Sequence, residues 1–125
     1  MASSHICVIS VPVSDQDRAR DFYVDALGFS VLFDNQVGPD MRWLHLTPPD
    51  GGTAIVLATW FDDFKPGSLR GVFIDVADIA AQKAAMEGKG VAFEGEIQDT
   101  PFGRFLSFTD PDGNRLDLHE PAPDA

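Results

Sequence analysis

Residues 6–29 read ICVISVPVSDQDRARDFYVDALGF, and two periodicities meet inside them. Residues 6–13 are rich in β-branched side chains and alternate loosely, as a strand does. Ser14 is placed to cap a helix, with Asp15 and Asp17 in a first turn where the helix dipole favours negative charge. Ala19, Phe22, Tyr23, Ala26 and Leu27 then recur at helical spacing, and Gly28 stands where a helix commonly ends in a left-handed residue. A strand therefore runs into an amphipathic helix.

Working outward, further strands are predicted at 29–33, 42–46 and 53–59, separated by turn-rich residues 35–40 and by the PPDGG run at 48–52. This half reads βαβββ. Beyond an aromatic connector at 60–68 the same order returns. A strand is predicted at 72–76, a cap at Asp78, a helix carrying Ile79, Ala84, Ala85 and Met86, and strands at 91–94, 104–108 and 115–119. The last two are joined by the turn-forming stretch TDPDGN at 109–114. Val13-Ser14-Asp15 aligns with Val76-Ala77-Asp78, and Leu27-Gly28-Phe29 with Lys89-Gly90-Val91, an offset of about sixty-three residues that marks an internal duplication. The expected class is α+β: one domain spanning 1–125, with module one at about 5–60, module two at about 69–120, and a frayed tail at 121–125.

Composition narrows the partners. A net charge of −11 repels phosphate backbones and anionic lipid, which argues against nucleic acid and membrane surfaces and would attract a cation. The lone Cys7 rules out an intrachain disulfide and a Cys-rich zinc motif. Residues 1–5 lack the basic start of a signal peptide, and no apolar run approaches a membrane span, so a cytoplasmic protein is expected.

Alternation along a strand assigns faces. Cys7, Ile9, Val11 and Val13 form the apolar row expected under the helices, leaving Val8, Ser10 and Pro12 opposite. By the same parity Val72, Ile74 and Val76 oppose Gly71, Phe73 and Asp75. Leu44 and Leu46 oppose Trp43, His45 and Thr47, while Leu116 and Leu118 oppose Arg115, Asp117 and His119. The second face is too aromatic for plain solvent and too polar for a sealed core, the mixture expected of a ligand pocket.

Val13-Ser14-Asp15 leading to Asp21-Phe22-Tyr23 and Leu27-Gly28-Phe29, together with residues 109–114 leading into Arg115-Leu116-Asp117-Leu118, resemble the vicinal oxygen chelate superfamily. That superfamily includes glyoxalase I, ring-cleaving dioxygenases, and fosfomycin- and bleomycin-resistance proteins. The resemblance covers nearly the whole chain. It implies paired modules whose sheets curl into an incomplete mixed β-barrel around a cavity, helices on the outer face, usually completed in a homodimer. Many relatives hold a divalent metal through a His on a module's first strand and a Glu or His on its last. Those positions fall here on Val8, Gly71, Val56 and Asp117, and three of them lack a donor. No metal and no cofactor are therefore expected. His5 lies an odd number of residues from Val8 and points to the wrong face. An atypical site built from His45, Asp75, Asp117 and His119 stands as an alternative.

Without a metal, chelate-assisted chemistry loses the group that holds vicinal oxygens. The expected function is then metal-independent binding and sequestration of a small antibiotic or metabolite. Trp43, Trp60, Phe61, Phe64, Phe73 and Phe102 would stack on it, the connector aromatics serving dimer packing as the alternative; Asp75 and Asp117 would meet a positive group; and Val8, Ser10, His45, Val56 and His119 would complete the wall. Arg104 would take a carboxylate, or else form a surface ion pair. The alternative is a small isomerase or lyase in which His45 or His119 moves a proton beside Asp75 or Asp117. A third reading is an interaction module with a vestigial cavity. Conventional nucleophile and phosphate-loop motifs are absent.

Overall fold

The computed structural model describes residues 2–123. Each half forms one βαβββ unit, and the chain divides into two compact units between Pro66 and Gly67. The first holds β1 (Val8–Pro12), α1 (Gln16–Leu27), β2 (Ser30–Gln36), β3 (Arg42–Thr47) and β4 (Ala54–Ala58). The second holds β5 (Val72–Asp75), α2 (Ile79–Glu87), β6 (Phe93–Thr100), β7 (Gly103–Thr109) and β8 (Arg115–Pro121). Sheet orders are β1-β4-β3-β2 and β5-β8-β7-β6, with the first strand of each module parallel to its last and the other pairs antiparallel. Neither sheet closes into a barrel, so each keeps two edges.

The helices cover one face of their own sheets. α1 buries Ala19, Tyr23, Ala26 and Leu27, and Leu44 and Leu46 on β3 are fully buried. Gln16 donates through Nε2 to the carbonyls of Arg42 and Leu57 at 2.8 Å, tying the first turn of α1 to β3 and β4. Arg42 adds a fork: Nε and Nη2 reach both Asp34 oxygens at 2.8 and 3.0 Å, and Nη1 reaches Asp17 at 2.8 Å. This guanidinium holds the carboxyls of Asp17 and Asp34 below the usual range.

Several expectations shift. The cap of α1 is Asp15, not Ser14: its side chain accepts from the Arg18 N–H, as Asp78 accepts from Ala81. Gly28 ends α1 at φ 74° and donates to Val24, a left-handed conformation that glycine adopts without strain. Cys7, expected under the helices, is exposed, because β1 begins one residue later. In α2 only Ile79 and Met86 are buried; Ala84 and Ala85 face outward. β8 continues through Pro121, into the stretch expected to fray, and Asp124 and Ala125 lie outside the described residues.

The turn between β7 and β8 is built on two buried polar side chains. Asp110 Oδ1 accepts from the N–H groups of Asp112 and Asn114, and Asp110 Oδ2 accepts from Asn114 Nδ2, all at 2.9 Å. Asn114, fully buried, accepts through Oδ1 from Gly67 N at 2.9 Å and Leu69 N at 3.1 Å. The TDPDGN stretch thus does more than turn the chain; it fastens the segment entering β5. Replacing Asn114→Ala leaves two backbone donors and a carboxylate oxygen short of a partner, so urea unfolding should show a loss of about 3 kcal/mol.

Candidate functional site

The face of each sheet turned away from its helix carries the candidate residues. In the first unit, register places Ser10 beside Val56, Val56 beside His45 and His45 beside Phe33, one row across four strands. In the second unit the corresponding row is Phe73, Asp117, Ser107 and Glu94, and the next is Asp75, His119, Phe105 and Gln98. Val56 and Asp117 hold equivalent places, as do Ser10 and Phe73.

The first row is aromatic. The His45 ring meets Phe33 edge-on at 5.5 Å and Trp43 at 6.3 Å, and Trp43 stacks on Trp60 at 6.0 Å and 19°. Trp60 continues to Phe61, and Phe61 to Phe64. Val8 and Ser10 are half-buried, whereas Val56 is fully covered.

The second unit is charged. Phe73, Phe105, Ser107, Arg115, Asp117, Glu94 and their neighbours line a groove of about 370 Å³. Asp117 takes a hydrogen bond from the Ser107 hydroxyl, which in turn accepts from Arg115 Nη2 at 2.9 Å. Arg115 also lies 3.5 Å from Glu94. At the end of β8, His119 bridges two acceptors: Nδ1 is 2.6 Å from Asp75 Oδ1, and Nε2 is 3.0 Å from the Phe102 carbonyl. Its ring stacks on Phe105 at 4.6 Å and 23°. A carbonyl and a carboxylate can only accept, so both ring nitrogens donate in the protonated form. The Phe102 carbonyl first, and Asp75 second, push the His119 pKa above its usual 6.5.

Gly103 makes this clasp possible. With φ at 126°, a Cβ there would meet His119 Nε2 at 2.7 Å and would also strike the Glu120 carbonyl. The tip held in this way carries Phe102, 79% exposed. Arg104 is not brought to the same face. It pairs in register with Asp99 and Glu120, and its Nε donates to Asp99 at 2.9 Å. Glu120 belongs to the helix side, where it accepts from the Ile79 N–H at 2.9 Å.

The donor set does not suit the metal that the resemblance implies. Val8, Gly71 and Val56 offer no side-chain donor at three of the four expected positions, and Asp117 is already hydrogen-bonded to Ser107. The atypical set is not gathered either: among the described residues no three His, Cys, Asp or Glu side chains come together as a metal site. Asp75 and His119 meet, but as a hydrogen-bonded pair.

Three face residues, Phe33, Glu96 and Gln98, escaped the sequence reading because the backbone is irregular where they lie. Simple alternation puts Phe33 on the side of Val31, which pairs with Leu46; an extra residue at Leu32 makes a β-bulge and turns Phe33 over to His45. β6, expected to end at Glu94, runs to Thr100 with a similar irregularity, which brings Glu96 and Gln98 into the groove. Phe105 needed no such correction. It was missed as well, although alternation along β7 alone puts it on the same side as Ser107.

Residues 4–118 match the Glyoxalase/Bleomycin resistance protein/Dioxygenase superfamily. The chain is 46% identical to TnmS3, an antibiotic binding protein from Streptomyces sp. CB03234, with a TM-score of 0.89 and coverage of 98% of this chain and 99% of that one. A glyoxalase/bleomycin resistance protein/dioxygenase superfamily member from Sphaerobacter thermophilus DSM 20745 is 35% identical, with a TM-score of 0.87 and coverage of 94% and 98%. Protein YetH of Bacillus subtilis (strain 168) is 29% identical over 122 residues, 92% of this chain and 97% of its own length. No helix among the described residues is long and apolar enough to cross a membrane.

A raised folded-state pKa means that the His119 clasp contributes fully below about pH 6.5 and fades as pH climbs through the higher folded value. Replacing Asp75→Asn should lower the His119 value in an NMR titration. The gap in melting temperature between wild type and variant should be wide near about pH 5.5 and narrow near about pH 8.5.

Proposed function

We propose that this chain, which belongs to the glyoxalase/bleomycin resistance protein/dioxygenase superfamily, binds and sequesters a small aromatic antibiotic or metabolite without help from a metal. The observation that carries this reading is the exchange of residue types on the sheet faces. Where metal-binding relatives are expected to hold donors, this chain has Val8, Gly71 and Val56; beside them stand Trp43, Phe33 and Phe73. Such faces gain more from stacking and area burial than from coordination. The similarity to TnmS3, at 46% identity over nearly the full length, favours an antibiotic as the ligand class.

His119 supports binding over proton transfer. With both nitrogens facing acceptors it has no open position from which to take a substrate proton, and it serves to hold the Phe102 tip. Asp117, bonded to Ser107, is a candidate for meeting a polar ligand group at the second face. We place the protein in the cytoplasm as a homodimer, with its two modules acting as one domain.

A panel of aromatic antibiotics, screened by thermal shift in the presence of a chelator, tests the reading. A true ligand at a hundredfold excess over its Kd should raise the midpoint by about 10 °C. The ligand should then be recovered from denatured protein with its mass unchanged. Conversion to a product, or binding abolished by the chelator, would contradict the proposal.

A further inference from the structure

The chain carries 20 acidic residues, yet one sheet face is free of charge. On the side of β1, β4, β3 and β2 turned away from α1, the described positions present Val8, Ser10, Val56, His45, Trp43 and Phe33 with small or neutral neighbours, and no Asp, Glu, Lys or Arg. The charged side chains of this sheet, Asp34 and Arg42, pair with each other and with Asp17 of α1, on the helix side. The equivalent face of the second unit is the opposite case, with Asp75, Glu94, Arg115, Asp117 and His119. Duplication supplied one backbone pattern, and the two copies diverged into a neutral face and a charged one.

His45 is the exception on the neutral face. The ring is half-buried between Phe33 and Trp43, and neither nitrogen has a hydrogen-bond partner among the described residues. A neutral imidazole offers one N–H donor and one acceptor. Covering that face with a purely apolar ligand would strand both nitrogens, whereas an oxygen placed over the ring would satisfy one of them. An ammonium or carboxylate seated there would find no counter-charge and would lose its hydration.

We propose that His45 is the hydrogen-bonding anchor through which the first module selects an uncharged, planar aromatic ligand bearing a hydroxyl or ketone oxygen, stacked against Trp43 and Phe33. The proposal rests on the small-molecule-binding reading above and adds the ligand chemistry and the residue that discriminates it. Cationic groups belong, on this account, to the acidic groove of the second module and not to this face.

Three probes of nearly equal shape separate the contributions: 2-naphthol, naphthalene and 2-naphthylmethylamine. Calorimetry gives affinity, and the indole N–H signals of Trp43 and Trp60, the only two tryptophans, report the site. Naphthol should bind most tightly and shift both indoles. His45→Phe should weaken naphthol about tenfold while naphthalene, relieved of covering two unpaired nitrogens, binds more tightly than to wild type, and His45→Gln should restore most of the naphthol loss, showing that the sheet tolerates the change. Equal naphthol affinity in wild type and His45→Phe would overturn the proposal, as would tighter binding of the amine with the indoles shifted. Failure of all three probes to move the indoles would overturn it too. If an antibiotic still stabilised the protein while the indoles stayed silent, the anchor would be wrong and the binding function would stand.

Discussion

A pleated strand sends successive side chains to opposite sides, and in both modules the helices cover one of them. Everything on the other side follows from that division. Once Leu44, Leu46, Leu116 and Leu118 are committed to the buried side, their neighbours Trp43, His45, Asp117 and His119 have no other place to go. The same constraint makes a bulge consequential. One extra residue at Leu32 moves Phe33 from the core side to the face turned away from α1, and the aromatic row in the first module depends on it.

Buried polarity is used sparingly and for attachment. Asp110 and Asn114 are the only buried polar residues among those described, and their groups are spent on the β7–β8 turn and on the entry to β5. His119 does a related job at the surface, joining β5, β8 and the β6–β7 tip through Asp75 and the Phe102 carbonyl. These contacts fix where the charged face of the second module lies. They also remove His119 from the pool of free bases, while His45, with no bonded partner, stays available to a ligand.

Much of this was legible in the amino-acid order. The duplication, the two modules and the strand faces followed from spacing, because period two and period 3.6 are hard to confuse over six or more residues. The candidate residues Trp43, His45, Phe73, Asp75, Asp117 and His119 fall on the faces that alternation assigned. What spacing did not carry was irregular backbone and competition between neighbouring groups. Ser14 and Asp15 both suit a cap, and only geometry selects Asp15. The bulges in β2 and β6 have no clear signature in residue type, so alternation alone does not put Phe33, Glu96 and Gln98 on the correct face. Arg104 lies beside Phe105 in sequence but on the other side of the sheet, bonded to Asp99.

Taken together, the modules keep the backbone pattern of a metal-chelating superfamily and carry side chains suited to holding an organic ligand by stacking and hydrogen bonds. The most direct test of that claim is the metal content of dialysed protein, measured by elemental analysis after expression in medium supplied with zinc, nickel, manganese and iron. Substoichiometric metal and undiminished ligand binding are expected. One equivalent of any of these metals per chain, retained through dialysis and required for binding, would contradict it.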